Sequence, residues 1–219
     1  YGDMYATDFL RDENGKIKLT EADGKPILNP LKYSTYIGNM NSKFQLGWNN
    51  TFTYKNLSLY FLIDGKIGGK AVSFTEAKLD YLGLSKRTGE ARNLQAKSGL
   101  TYTNIDGDTY PAMKLADGQI TPIELYYQTI GGDIVATQYV YNATNFRLRE
   151  VSLGYTFKKV FGPIKSLSLS LIGRNLFFLY NKAPMDPETS LSTQNSMGSV
   201  DIFNLPTTRS LGFSATLSF

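Results

Sequence analysis

The last stretch of the chain, Thr208 to Phe219 (TRSLGFSATLSF), constrains the fold more than any other. Leu211, Phe213, Ala215, Leu217 and Phe219 fall on one parity, and Ser210, Gly212, Ser214, Thr216 and Ser218 on the other. Strict period-two alternation makes a strand with one apolar face and one small, polar face. No charge follows Arg209. A strand of a soluble sandwich usually carries Lys, Glu or Asp on its wet face. The length is close to the roughly 9–11 residues that a tilted strand needs to cross a bilayer. The segment reads as the closing strand of an outer-membrane β-barrel, running down to the periplasm. The competing reading is an edge strand of a soluble β-sandwich.

Composition narrows the choice. The 219 residues suffice for one β domain or two small ones. No apolar run reaches the roughly 18 residues of a membrane-spanning helix, which leaves a barrel open, since barrel strands are only half apolar. Fifteen Tyr and 13 Phe against one Trp suit strands and interfacial girdles. Cys is absent, so there is neither a disulfide framework nor a thiolate metal site. His is absent too, which removes the usual general base, the usual zinc ligand and a Ser-His-Asp triad together. The chain is expected to be a non-enzyme without cofactor. A net charge of +4 without a basic tract gives no support for nucleic-acid binding.

Residues 1 to 10 suit a short strand. Asn14-Gly15 and Asp23-Gly24 are turn pairs around an extended run, Lys16–Thr20, in a polar loop. FQLGWNNTFTY (44–54) and LSLYFLIDGKIGG (57–69) alternate and are joined by Lys55-Asn56 as a hairpin. Between about 71 and 140 the period of two is lost. EAKLDYLGLSKRTGEARN holds a helical turn or two, and TPIELYYQTIGG a short helix ended by Gly131. A connection this long must be a folded lid, a binding loop or an inserted subdomain. Alternation returns at FRLREVSLGYTF (146–157) and at SLSLSLIGRNLFFLY (166–180), and a polar loop then leads to the final strand.

Loop lengths obey a rule. Outer-membrane barrels alternate short periplasmic turns with longer extracellular loops. Counting back from a periplasmic Phe219, loops 11–43, 72–140 and 181–207 fall outside and are long. Turns 55–56 and 158–165 fall inside and are short. The expected fold class is therefore all-β, an antiparallel transmembrane β-barrel segment. About six strands cannot close a membrane barrel, whose minimum is about eight, because open edges in lipid strand backbone groups unpaired. The chain is expected to be the C-terminal portion of a larger, plugged barrel, with further strands and any signal segment upstream of Tyr1.

Six ordered segments resemble one family. YGDMYATDFLRDENGKI (1–17), YIGNMNSKFQLGWNNTFTYKNLSL (36–59), LSLYFLIDGKIGGK (57–70), ATNFRLREVSLGYTF (143–157), GRNLFFLYNKAPMDPE (173–188) and PTTRSLGFSATLSF (206–219) are similar to the C-terminal region of SusC/RagA-like TonB-linked outer-membrane transporters. The likeness is weakest between about 90 and 135. It implies a large 22-stranded barrel, an N-terminal plug domain absent from these residues, and a SusD-like surface lipoprotein as lid. It further implies energy supplied through TonB, and import of oligosaccharides or, in some members, peptides.

Candidate functional residues follow from parity. Asp64, Lys66, Glu150 and Arg174 lie on the lumen parity, where they hold the plug, line the substrate path, or form an interior salt-bridge mesh that stiffens the wall. Arg147 and Arg149 share parity with the lipid-facing Val151 and Leu153, where a charge costs roughly 2–4 kcal/mol at the midplane and about 0–1 near the interface. They must lie above the hydrocarbon or be re-aimed by a bulge; Arg209 poses the same question. Trp48, Tyr54, Tyr155 and Phe157 suit aromatic girdles, the last three near the periplasmic rim. Phe219 matches the terminal aromatic by which barrel-assembly machinery recognises its clients, as the resemblance implies. Tyr102, Tyr110, Tyr126 and Tyr127 are candidates to stack on sugar rings or to meet the lid protein, against ordinary loop packing. The rival functions are a soluble or surface-exposed β-sandwich carbohydrate-binding module and an outer-membrane enzyme, the latter disfavoured by the missing His.

Overall fold

In the computed structural model, which describes residues 2–189 and 198–219, the chain divides into two compact units interleaved in sequence. The sheet unit comprises Asn41–Gly69, Asn142–Thr189 and Leu205–Phe219. The loop unit comprises Tyr1–Met40, Lys70–Tyr141 and Ser190–Asn204.

The sheet unit is built on five long antiparallel strands: β1 (Phe44–Tyr54), β2 (Leu57–Ile67), β3 (Asn145–Phe161), β4 (Ile164–Asn181) and β5 (Ser210–Ser218). Their spatial order is β5-β4-β3-β2-β1, a meander in which every strand pairs with its neighbour in the sequence. The short opening strand, Asp3–Ala6, pairs instead with Thr35–Asn39 in a separate two-stranded sheet. The pairing puts Phe44, Ile67, Asn145 and Asn181 at one end of the sheet, while β5 begins lower, with Ser210 opposite Arg174. The turns Lys55-Asn56 and Gly162-Pro163 lie at the other, where Phe161 already faces Ile164. The second turn is thus tighter than the sequence suggests, because pairing continues past Phe157.

Register sorts the side chains into two faces. On one face Phe52, Leu59, Leu153, Leu171 and Phe213 form a single row across all five strands. In the next row stand Tyr54, Leu57, Tyr155, Leu169 and Ala215. The opposite face carries Thr53, Ser58, Gly154, Ser170 and Ser214 in one row, all small. The apolar face is open: Trp48 is 58%, Leu171 62%, Phe213 64% and Leu211 84% exposed. Its aromatics run the length of the face, with Phe52, Phe61 and Phe213 in its middle part. Phe44, Trp48, Phe146 and Phe177 lie toward the open end, and Tyr54, Tyr155 and Phe157 near the turns. Ten residues separate the Phe44 and Tyr54 rows, about 33 Å along a strand, or about 25 Å in height at a tilt near 40°. That is the height of the apolar band of an outer-membrane barrel.

The loop unit has a mixed core: Phe9, Ile17, Val72, Ala77, Leu115, Ile123, Tyr127, Ile130, Val135 and Tyr139 pack together. The two N-terminal turns form as expected, and the backbone pairs Phe9 with Leu28, Arg11 with Ile17 and Leu19 with Pro26. Where the sequence suggests a helical turn or two, the chain forms two full helices, α1 (Phe74–Tyr81) and α2 (Lys86–Ser98). Ser73 and Ser85 cap their N-termini, accepting from the N–H of Glu76 and Thr88, and left-handed Gly99 caps α2 at its C-terminus. The third helix, α3 (Ile123–Gly132), does not end at Gly131. Gly131 is the point where α3 crosses α1: a Cβ there would lie 2.3 Å from the Ala77 carbonyl oxygen. Asp80 is buried on α1, ion-paired with Arg87 and bonded by the Tyr139 hydroxyl at 2.9 Å. Among the described residues no helix is long and apolar enough to cross a membrane.

Candidate functional site

The densest charge cluster of the sheet unit sits where strict alternation breaks. Leu148 faces Ile63 on β2 and Glu150 faces Leu62, so Arg149 is an extra residue in β3. Across β4, Leu148 faces Phe177 and Glu150 faces Arg174, which leaves Asn175 and Leu176 as the matching surplus; Asn175 takes a positive φ of 50°. One inserted residue flips the parity of everything beyond it. Arg147 therefore faces Asp64, on the same side of the sheet as Glu150, and not the side of Val151 and Leu153. The bulge is what re-aims both arginines. Arg209 stands just ahead of the first residue of β5.

The re-aimed cations meet carboxylates from the segment after β4. Arg147, with a side chain only 3% exposed, pairs with Asp186 at 2.5 Å and with Glu188 at 3.2 Å. Its guanidinium lies 3.9 Å from the centroid of the Phe178 ring and donates to Thr207 Oγ1 at 2.6 Å. Arg149 reaches Asp64 at 2.5 Å, Glu188 at 2.9 Å and the Asn175 side-chain oxygen at 3.1 Å. Lys66 approaches Glu188 at 3.6 Å. Three cations and three carboxylates thus balance in one network. Burial works to raise the Asp186 carboxyl. The Thr207 hydroxyl, the Arg147 guanidinium and the Glu188 N–H outweigh it and hold the group below the usual carboxylate range. Thr207 donates to Asp186 through both its hydroxyl, at 2.7 Å, and its N–H, at 3.3 Å. Residues 186 and 207, the two feet of the last long loop, are thereby pinned to each other and to β3.

Of the four lumen-parity residues, Asp64 and Lys66 join this network, while Glu150 and Arg174 pair with each other at 3.0 Å. Asp186 and Glu188 were not legible as partners, although two arginines on one strand call for acids from elsewhere. The girdle candidates occupy the apolar face, with Trp48 edge-on to Phe61 at 5.1 Å and Tyr155 edge-on to Phe157 at 4.7 Å. Phe219 is exposed just past β5.

The loop tyrosines divide. Tyr127 is buried in the loop-unit core, and Tyr126 stacks on Phe9 at 6.1 Å and meets Tyr127 edge-on at 5.3 Å. Burial pushes the Tyr126 hydroxyl up to about 12. These two rings serve packing. Tyr102 lies over the Gly24 turn and faces Tyr110 across a strand pair; Tyr110 is exposed.

Comparison with known proteins gives the architecture a context. No family model matches the chain. It is 23% identical, over 97% of its length, to the TonB-dependent receptor P3 of Formosa agariphila, of which it spans 19%. Its fold matches the RagAB peptide importer in its open-open state with a TM-score of 0.60 at 14% identity, over 99% of this chain and 22% of that one. It matches the RagAB peptide transporter at 0.58 and 17% identity, again over 99% and 22%. The chain spans about a fifth of the length of each. In order of strands, in sheet architecture and across nearly its whole length, the chain is similar to a barrel segment of these transporters.

Proposed function

We propose that the chain is the C-terminal wall segment of an outer-membrane importer of oligosaccharides or peptides, with loops 11–43, 72–140 and 181–207 facing the exterior. A plug domain fills the lumen in this reading, a SusD-like lipoprotein lids the outer mouth, and TonB supplies the energy. The small residues of the inner face border the plug, and Phe219 presents the assembly signal. The chain performs no chemistry of its own.

The observation that carries the reading is the open apolar face. A β-sandwich covers the apolar faces of its sheets with one another. Here a row such as Phe52-Leu59-Leu153-Leu171-Phe213 stays open, in a band of bilayer height that bears aromatics along its length. The free long edges of β1 and β5 fit the same reading, since further strands of a longer chain would pair them.

The test exploits the absence of cysteine from these residues. Single cysteines at Lys97, on α2, and at Asn56, in the β1–β2 turn, are placed in the full-length protein in its own cells. A membrane-impermeant maleimide is expected to label position 97 on intact cells and position 56 only after the outer membrane is opened. Equal labelling of both, or recovery of the protein in the soluble fraction, refutes the reading.

A further inference from the structure

The turn end of the sheet unit carries charge of one sign. Residues 51–63, 151–173 and 210–219 contain no Asp or Glu and four lysines: Lys55, Lys158, Lys159 and Lys165. The four acids of the sheet unit, Asp64, Glu150, Asp186 and Glu188, are all engaged by the arginines and Lys66 of the other half. Lys55, Lys158 and Lys165 are exposed and, among the described residues, have no acidic partner. Four lysines exceed the single carboxylate that a chain terminus at Phe219 would add. Two of them stand on the apolar side. Lys55 lies in the β1–β2 turn, its ammonium 5.4 Å from the centroid of the Tyr54 ring. Lys165 shares the parity of Leu167, Leu169 and Leu171, one step past the pair Leu167–Phe157. On β3, between their strands, stand Tyr155 and Phe157. The Thr156 N–H donates to the Asn56 carbonyl at 2.9 Å and fixes the turn against β3. Lys158 has the other parity and faces Ser166. Lys55 also takes a left-handed φ of 53°, in a hairpin turn where Gly, Asn and Asp are favoured. The sequence keeps an ammonium where a smaller residue folds more easily.

We infer that this rim binds the headgroup of an anionic phospholipid in the inner leaflet of the outer membrane, through Lys55 and Lys165. The acyl chains lie along the apolar face, the rings of Tyr54, Tyr155 and Phe157 stand at the interface, and the long lysine stems carry their ammonium groups out to the phosphate. Lysines without acids are what a negatively charged leaflet attracts, with a preference of about fivefold for each one near the surface. A zwitterionic lipid offers a phosphate whose charge is already balanced and answers the lysines less well. The choice of leaflet rests on the placement proposed above; the site itself does not.

Full-length protein carrying Leu57→Cys as its sole reactive thiol is labelled with bimane and reconstituted in phosphatidylcholine vesicles. Leu57 lies between Tyr54 and Tyr155, beside Lys55. Phosphatidylglycerol and phosphatidylcholine, each bearing the same nitroxide on the acyl chain near the headgroup, are compared as quenchers. The anionic lipid is expected to associate about fivefold more strongly. Lys55→Gln combined with Lys165→Gln brings the ratio to about one, whereas Lys158→Gln, on the other face, leaves it within about twofold. Salt at about 1 M abolishes the preference. All three lysines are exposed, and unchanged circular dichroism of the variants verifies their folding. Equal quenching by the two lipids in the protein with its lysines intact, a preference untouched by the double variant, or one lost with Lys158→Gln alone overturns the site. Both leaflets of these vesicles are alike, so the result is independent of orientation, which the labelling of position 56 in cells reads separately. Lipid preference with position 56 labelled on intact cells overturns the inner-leaflet assignment. Labelling only after the membrane is opened, without lipid preference, removes the lipid site and keeps the importer reading.

Discussion

Replacing Arg147 by Met removes a buried cation of near-equal length and leaves Asp186 without its main charge partner. Both side chains are almost fully buried, at 3% and 4% exposure, and the pair is 2.5 Å apart. Removing one partner of such a pair costs about 3–5 kcal/mol, because the surviving charge stays desolvated. Loss of the contact with the Phe178 ring is offset by the methionine, which packs on aromatics comparably. Trp48 lies on the sheet unit and, in full-length protein with any other tryptophan replaced, reports its unfolding by fluorescence. In detergent, the full-length Arg147→Met protein is expected to lose about 3 kcal/mol or more of stability against urea. Adding Asp186→Asn should recover part of the loss, since the orphan charge is then removed. The pH dependence has a definite sign. The Asp186 carboxyl is lowered in the folded state, so its contribution is present above the ordinary carboxylate value and is lost as pH falls through the lower folded value. The wild type should therefore weaken below about pH 4, and Arg147→Met should weaken less over that range. A loss under about 0.5 kcal/mol, typical of a surface substitution, would refute the reasoning, as would strict additivity of the two substitutions.

Other expectations concern both units. Gly131→Leu drives a side chain into the Ala77 carbonyl and should cost about 1–3 kcal/mol or more, seen as faster amide exchange in α1 and α3 while the sheet strands are unchanged. Burial raises Tyr126 to about 12 and also raises Tyr127, Tyr139 and Tyr141, so these should ionise after the exposed tyrosines in an ultraviolet titration. Because a raised hydroxyl stabilises the fold only while protonated, loop-unit stability should hold to about pH 10 and decline above it; ionisation of all tyrosines at the unfolded value would contradict this. Val151→Arg, near the middle of the apolar face, should reduce membrane-inserted yield of the full-length protein by an amount equivalent to about 2–4 kcal/mol, whereas Ser152→Arg, on the opposite face, should be tolerated.

The five strands were legible because each alternates over long runs and ends in a turn or polar run. The bulge was not. Nothing in the local residue types of LREV marks Arg149 as surplus, and parity counted straight through it sends both arginines to the wrong face. Only the cost of charges in lipid signalled the break, and the acids that answer them come from a proline-rich loop 39 residues on for Arg147 and Asp186. The helices were half visible for a related reason. α2 buries only Thr88 and Ala91, so it has almost no apolar stripe to read, and its boundaries rest on Ser85 and Gly99. Gly131 looks like a stop signal in sequence and is a crossing point in space, a difference that depends on the partner helix and not on its neighbours in the chain.

The loop unit draws on three stretches of chain that are separated by strand hairpins. Asp201, on the last of them, accepts a hydrogen bond from Ser73 on the second at 2.7 Å, while Ile17 on the first bonds Asp117 on the second at 2.9 Å. Such a unit cannot be inherited one loop at a time. A recombination event that exchanges any one stretch for that of a relative breaks contacts with the other two, so diversification should proceed by transfer of the whole block from residue 1 to 204, or by point changes at exposed positions. The same interleaving orders biogenesis: the second stretch can complete its contacts only after the last has been synthesised, so the loop unit closes late, when all but the final strand has been made.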